Sequence, residues 1–466
     1  MGVALETETP LDPVARDSDN LSMHFPVIHR AALSLAAGLV LPSVLDAAQP
    51  MLVSFKKSQM TDQFWAEGAN AGDFNHDGVM DLVYGPYWWA GPDFKTRRPY
   101  APATETFKLK QADGTEKTIP GFEGALGKNN TYSKNFFAFG TDLNKDGWDD
   151  ILILGFPGEK SSWYENPKGQ PGLWTEHVAI EVTDNESPNY IDITGDGVPE
   201  IVCSSKGSYG WASPDPNNPA GLWTWHPLSP NNNYHRFTHG MGVGDVNGDG
   251  RMDLLEKDGW WEQPSSLAGD PVWKQHKFAF GVGGAQMHAY DVNGDGLNDV
   301  ITSLAAHGYG LAWFEQVRGA DGISFKEHIL MNKEPNENRY GVKFSQLHAV
   351  DLVDMDGDGL KDIVTGKRFW AHGPAGDPEP GAPAVLYWWK LVRGPGGAVD
   401  FVPQQIDTAS GVGTQVAVRD VNKDLLPDVI VGNKRGLFLF LQQRRPVSET
   451  EWQAAQPKPI DPSGGK

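Results

Sequence analysis

Cysteine occurs once in the 466 residues, at Cys203. With no second thiol, a disulfide framework within the chain is excluded, and Cys203, set in the apolar stretch EIVCSS, is expected to be a buried structural residue. Positive charge is scarce: 39 Lys and Arg stand against 60 Asp and Glu, a formal net charge of −21, which argues against nucleic acid as a partner. Long apolar runs are missing as well. The best, AALSLAAGLVLPSVL at residues 31–45, falls short of the ~20 residues of a spanning helix, so no integral membrane segment is expected in the mature chain. No phosphate-cradling glycine loop, nucleophile elbow or zinc-protease motif occurs, which removes the usual signatures of nucleotide binding, serine hydrolysis and metalloproteolysis.

The apolar run reads instead as the centre of a secretory signal over residues 23–48. MHFPVIHR supplies the positive end and DAAQ the small residues for cleavage. The 22 residues before Met23 are polar and acidic, and are expected not to belong to the native product. The protein is therefore expected to be exported, to a periplasm, a cell surface or the medium.

What the chain has in abundance is one nine-residue sentence, written seven times. The copies are DFNHDGVMD (Asp73, Asn75, Asp77, Asp81), DLNKDGWDD (Asp142, Asn144, Asp146, Asp150), DITGDGVPE (Asp192, Asp196, Glu200), DVNGDGRMD (Asp245, Asn247, Asp249, Asp253), DVNGDGLND (Asp291, Asn293, Asp295, Asp299), DMDGDGLKD (Asp354, Asp356, Asp358, Asp362) and DVNKDLLPD (Asp420, Asn422, Asp424, Asp428). Oxygens at positions one, three, five and nine around a glycine turn are the donor set that Ca2+ requires. D-G and N-G pairs also make hairpin turns without metal, but that does not explain acids at the same offsets in every copy. Thr194 at position three of the third copy, and Leu425 in place of Gly in the seventh, are expected to weaken or empty those sites. Seven Ca2+ would add about +14 and leave a mildly acidic protein.

The flanks, such as DLVYG, DILILG and DVIVG, are short, β-branched and bounded by Gly, so the turns belong to β-hairpins. First aspartates are spaced by 69, 50, 53, 46, 63 and 66 residues, room for four strands each. A Trp/Tyr-rich third strand and a fourth strand follow each turn, as in SWYENPKGQPGLWTEHVAIE and GWWEQPSSLAGDPVWKQHKF. Most of these aromatics are expected to pack between units. After the last turn only DVIVG and GLFLFLQQ remain, so LVSFKKSQM (residues 52–60) is expected to supply the missing strand and leave no free edge. The expectation is an all-β, seven-bladed β-propeller of four-stranded blades over residues 49–443, closed by an N-terminal strand, with a disordered tail at 444–466. A monomer is expected.

The repeats resemble those of the FG-GAP/VCBS class, known best from the ligand-binding propellers of integrin α subunits, over about residues 52–443. The resemblance implies the propeller fold and calcium, and leaves activity open, because the class includes adhesion modules, lectins and lyases. WYENP, YHRFTHG and SQLHAVDLVDMDGDG are also similar to the propeller part of fungal aldos-2-ulose dehydratases. That likeness implies β-elimination of water from a keto sugar, with His235 and His348 in the matching segments as catalytic residues.

First strands begin, and second strands end, on the side away from the acidic turns, and there bases are concentrated. Arg236, His239, Lys257, Trp260, His288, His307, Lys367, Arg368 and His372 are the candidate ligand-binding residues, with Trp89 and Trp261 as further stacking platforms. Two functions fit. One is a binding module for a carbohydrate or protein ligand. The other is a sugar lyase or dehydratase, in which the histidines hold a transition metal or act as a general base. AQMHAYD and SQLHAVD align His288 with His348, which are expected side by side. The polar insertion at 92–134 is expected to form a hairpin over the rim.

Overall fold

The computed structural model describes residues 49–460; the signal-like segment, the residues before it and 461–466 lie outside that range. Strands dominate, as expected for an all-β chain, and every acidic turn joins the first two strands of an antiparallel set. In the first unit the order is Ala69–Gly72, Asp81–Tyr84, Tyr87–Ala90 and Thr96–Pro99. In the sixth it is Val350–Val353, Asp362–Gly366, Leu386–Arg393 and Val399–Asp407. The seventh unit has Val416–Arg419, Asp428–Asn433 and Gly436–Pro446, and its fourth strand is Met51–Thr61, paired antiparallel from Met51 opposite Pro446.

Two departures from separate four-stranded units have local causes. Thr175–Ile191 runs unbroken from the edge of the second unit into the first strand of the third, with a register shift between Asp184 and Asn189. The first strands of the fourth and fifth units, Met241–Gly244 and Gln286–Tyr290, pair in parallel. That approach requires glycine: a Cβ on Gly242 would stand 1.8 Å from the Met287 carbonyl oxygen.

The core is divided among seven clusters, each lying between neighbouring units. Phe74, Val83 and Trp88 of the first unit meet Ile151 and Ile153 of the second. Leu82 and Trp89 of the first unit meet Ile430 and Leu439 of the seventh. Fully burying each such side chain is worth ~1.5–3 kcal/mol, so unit contacts supply most of the apolar stabilisation. Cys203 is buried in the cluster between the second and third units, as its sequence context implied.

A polar clamp, absent from the sequence reading, reinforces four of these contacts. Near the end of strand three, Asn166, Gln263, Gln316 and Gln442 each donate a side-chain N–H to position two of the preceding unit's turn, at the carbonyls of Phe74, Ile193, Val246 and Met355. The same amides reach position eight of their own turn, at Asp149, Met252, Asn298 and Pro427. Gln316→Ala is expected to cost about 1–3 kcal/mol, because it strands buried carbonyls; urea unfolding measures it.

The expected disordered tail is corrected over residues 444–460. The last strand continues to Pro446, Ser448 caps a short helix at Glu449–Ala455, and the Ile460 N–H reaches the Arg339 carbonyl at 2.8 Å. The insertion does form a hairpin, Thr106–Lys110 with Glu116–Pro120. The segment after it comes closer to the base-rich face, with Ala125 donating to the Lys434 carbonyl at 2.9 Å. Among the described residues no helix is long and apolar enough to cross a membrane.

Candidate functional site

The acidic turns share one geometry. The backbone winds round the first aspartate, so that Asp73 accepts the N–H groups of Asp77 and Gly78 at 3.0 and 2.8 Å. Position nine is buried in every copy and accepts the N–H of position two, as in Phe74 to Asp81 and Val246 to Asp253. Burial, with neighbouring carboxylates adding to it, pushes Asp81, Asp150, Glu200 and Asp253 up to about 7. These are hard oxygen donor sets, the kind that divalent hard cations take. Asp192, Asp196 and Glu200 of the third turn, and Asp354, Asp356 and Asp362 of the sixth, each place three oxygens within 4.8 Å of one another. The longer Glu200 side chain thus reaches into the turn that lacks an acid at position three. Leu425 takes the position of the missing glycine with φ of 66° and is fully out in solvent.

On the opposite side, five units contribute to one cluster. Glu67, Glu186, His239 and His348 stand at the starts of first strands, and His307 and Arg368 follow second strands. One ring nitrogen each of His239, His307 and His348 lies within 4.8 Å of the other two. His239 Nε2 is 3.1 Å from His307 Nε2, and Glu186 Oε2 is 3.5 Å from His239 Nε2 and 3.9 Å from His348 Nδ1. Arg368, 1% exposed, lies 3.0 Å from Glu67 Oε2 and 3.4 Å from Glu186 Oε2. Burial, then the adjacent guanidinium, drives His348 well below the usual imidazole range, so it is neutral. Burial also lowers His307, against the opposing pull of Asp377. For Glu186 burial acts upward, but His239 and Arg368 outweigh it and hold the carboxyl at about 2.

A second layer covers His307. The His372 ring stacks on it at 4.1 Å between centroids, and Asp377 Oδ1 lies 2.8 Å from His372 Nδ1 and 3.6 Å from His307 Nδ1. Lys434 lies 4.6 Å over the Tyr132 ring and donates to the Trp370 carbonyl at 2.7 Å. Burial lowers Lys434 and Lys367 to about 8 each. Tyr132 and Phe156 also wall a cleft of about 740 Å³ between the first two units, beside the cluster and not on it. Tyr100, Phe122 and Tyr164 line it, and its charges are largely self-paired, as in Lys134 with Glu105 at 2.6 Å.

Several candidates lie elsewhere than expected. His235 is exposed and stays out of the cluster, its Nδ1 accepting only the Phe237 N–H at 3.3 Å; His239, four residues on, takes its place. His288 is not beside His348 but bonds the Val350 carbonyl at 3.1 Å, deeper along its strand. Trp260 is no platform: it is 1% exposed and stacks on His276, and Trp89 and Trp261 are core as well. Lys367 is buried and donates to Ser345 Oγ. Arg236 remains exposed over the Phe237 ring, and Lys257 pairs with Asp258. Glu67, Glu186 and Asp377 were missed. Each is an isolated acid outside any motif, and only the positions of Glu67 and Glu186, just ahead of an inner strand, could have flagged them.

With this geometry in hand, the family comparison is specific: residues 142–203 and 192–256 match the FG-GAP-like repeat. The described residues form an all-β protein in which residues 142–256 match FG-GAP-like repeats. Among solved structures it is similar to an Agrocybe aegerita lectin that recognises non-reducing terminal N-acetylglucosamine, with 15% identity, 84% of this chain and 86% of that one covered, and a TM-score of 0.40. It is also similar to the rhamnogalacturonan lyase YesW, with 13% identity, 84% and 72% covered and a TM-score of 0.36. A third similarity is to the V. cholerae biofilm matrix protein Bap1, with 17% identity, 60% and 40% covered and a TM-score of 0.31. Likeness at this level assigns neither ligand nor activity. No curated protein matches.

Proposed function

We propose that the chain is an exported, calcium-stabilised seven-bladed propeller, acting as a binding module whose carbohydrate ligand is held on the face away from the acidic turns. Closure of the ring is supported by the core cluster shared between the seventh and first units. The observation that carries the function is the convergence of His239, His307 and His348, with Glu186 beside them. The 3.1 Å between His239 Nε2 and His307 Nε2 approaches the ~3.3 Å edge of a tetrahedron with metal–nitrogen bonds of 2.0–2.1 Å, and a His348 ring nitrogen lies within 4.8 Å of its counterparts on both. Three converging imidazoles suit a zinc-type ion, with the Glu186 carboxylate beside His239. Such an ion would anchor a hydroxyl, keto or carboxylate oxygen of the ligand. The neighbouring cleft, where Phe122, Tyr132, Phe156 and Tyr164 are half-exposed, would take the sugar ring beyond it.

Metal analysis of the purified protein, separating zinc from calcium, tests this directly. About one zinc per chain is expected, and both His239→Ala and His348→Ala are expected to lose it together with affinity in a glycan-binding screen. Zinc retained in both variants would remove the reading.

A β-elimination lyase is the second reading, favoured by the His372–Asp377 pair. Asp377 orients His372 through Nδ1, leaving the far nitrogen of a half-exposed ring free to take a proton from a ligand bound at the cluster. A metal there would supply charge stabilisation to the developing oxyanion. Incubation with uronate oligomers or keto sugars would then give an unsaturated product absorbing in the ultraviolet, lost in His372→Ala while zinc content stays unchanged. Ligand binding without any product would leave the binding module alone standing.

A further inference from the structure

The sixth turn is the most acidic by donor set, with Asp354, Asp356, Asp358 and Asp362 at positions one, three, five and nine. Its oxygens at one, three and nine converge within 4.8 Å. By donor chemistry it would be the strongest calcium loop, yet a cation from the chain itself already reaches two of its four carboxylates. The Lys390 ammonium pairs with Asp356 and lies 2.9 Å from Asp358 Oδ2, with its side chain 22% exposed. Other bases near the turns are tied to one carboxylate each, as Lys168 is to Asp146 and Arg251 to Asp249.

Strand register explains why this happens in the sixth unit. The residue after Lys390, Leu391, donates its backbone N–H to the position-nine carboxylate of Asp362 at 2.8 Å. Asn166, Gln263 and Gln316 make the same bond to Asp150, Asp253 and Asp299. Immediately before those three residues stand Glu165, Glu262 and Glu315, and each pairs with a strand-four histidine, His177, His276 or His328. These histidines lie across from Trp163, Trp260 and Trp313, whereas Gln404 lies across from Trp388 in the sixth unit. An acid and its histidine have thus been exchanged for a lysine and a glutamine. With no strand-four acid to meet at that position, the ammonium turns to the loop.

We propose that Lys390 is the resident cation of the sixth turn, which is closed by an internal ammonium where the other turns take calcium. This rests on the calcium reading above for the other turns. Its consequence is functional: the sixth unit carries His348 and Arg368, the centre of the ligand cluster, and its turn keeps one compensating positive charge when calcium is withdrawn.

Calcium bound per chain, measured by atomic emission after desalting, is compared in the wild type, Lys390→Gln and Lys390→Arg. The glutamine variant is expected to gain one equivalent and the arginine variant to match the wild type. Lys390→Met serves the same comparison should the glutamine variant not accumulate. Equal calcium in wild type and neutral variant overturns the proposal. A gain of one equivalent over a wild type that binds none would uphold it while removing the calcium reading of the other turns.

Discussion

Excess chelator is expected to lower the melting temperature of the protein by at least ~10 °C. Each ion bound only by the folded turn contributes ~2.7 kcal/mol at a hundredfold excess over its Kd, so even four occupied turns add up to ~10 kcal/mol. The pH dependence of the metal-free chain gives a second, independent signature. There burial, aided by neighbouring carboxylates, raises position nine to about 7 at Asp81, about 6 at Asp299 and Asp428, and about 8 at Asp362. A carboxyl raised on folding holds a proton that the unfolded chain releases above about pH 4. Its contribution is complete below that value and disappears as pH climbs through 6 to 8. In chelator, stability is therefore expected to fall from pH 5 to pH 8. In millimolar calcium the trend reverses at the turns other than the sixth, because there the ion competes with those protons. Calorimetric scans at both pH values, with and without chelator, measure both effects; a melting curve indifferent to chelation would remove structural calcium.

Arg368→Met is the substitution expected to cost most, about 3–5 kcal/mol. Arg368 bridges Glu67, which is fully buried, and Glu186, so its removal leaves Glu67 in the interior without its paired counter-charge and Glu186 with only the histidine side of its pairing. The double variant Glu67→Gln with Arg368→Met is expected to recover part of the loss, since one of the stranded charges goes with it. Urea unfolding of the two single variants and the double gives the coupling energy. A single-variant cost below ~1 kcal/mol would mean that water reaches this cluster and solvates the carboxylates left behind.

The residues of the site were legible to different degrees for definite reasons. The short β-branched runs DLVYG and DVIVG mark strands, and the turn fixes which end of each faces which side, so the gathering of His307 and Arg368 could be read from position alone. Register could not. YHRFTHG offers two histidines, and the chain enters its inner strand only at Met241, which brings His239 to the cluster and leaves His235 in solvent. His288 and His348 align as letters, yet the first bonds the Val350 carbonyl and the second faces Glu186. Trp260 looked available because its strand begins at a turn, but the neighbouring unit covers it.

By itself the sequence determined the repeat, the acidic turns, the strands that flank them and the side on which bases gather, because each of these depends on spacing within some twenty residues. The tertiary structure alone decided which histidines meet, that Glu67 and Glu186 neutralise Arg368, and that Lys390 enters the sixth turn. Glu67 and Arg368 are separated by 301 positions. Contacts over such distances depend on how whole units pack side by side, and no local pattern of residues encodes that packing.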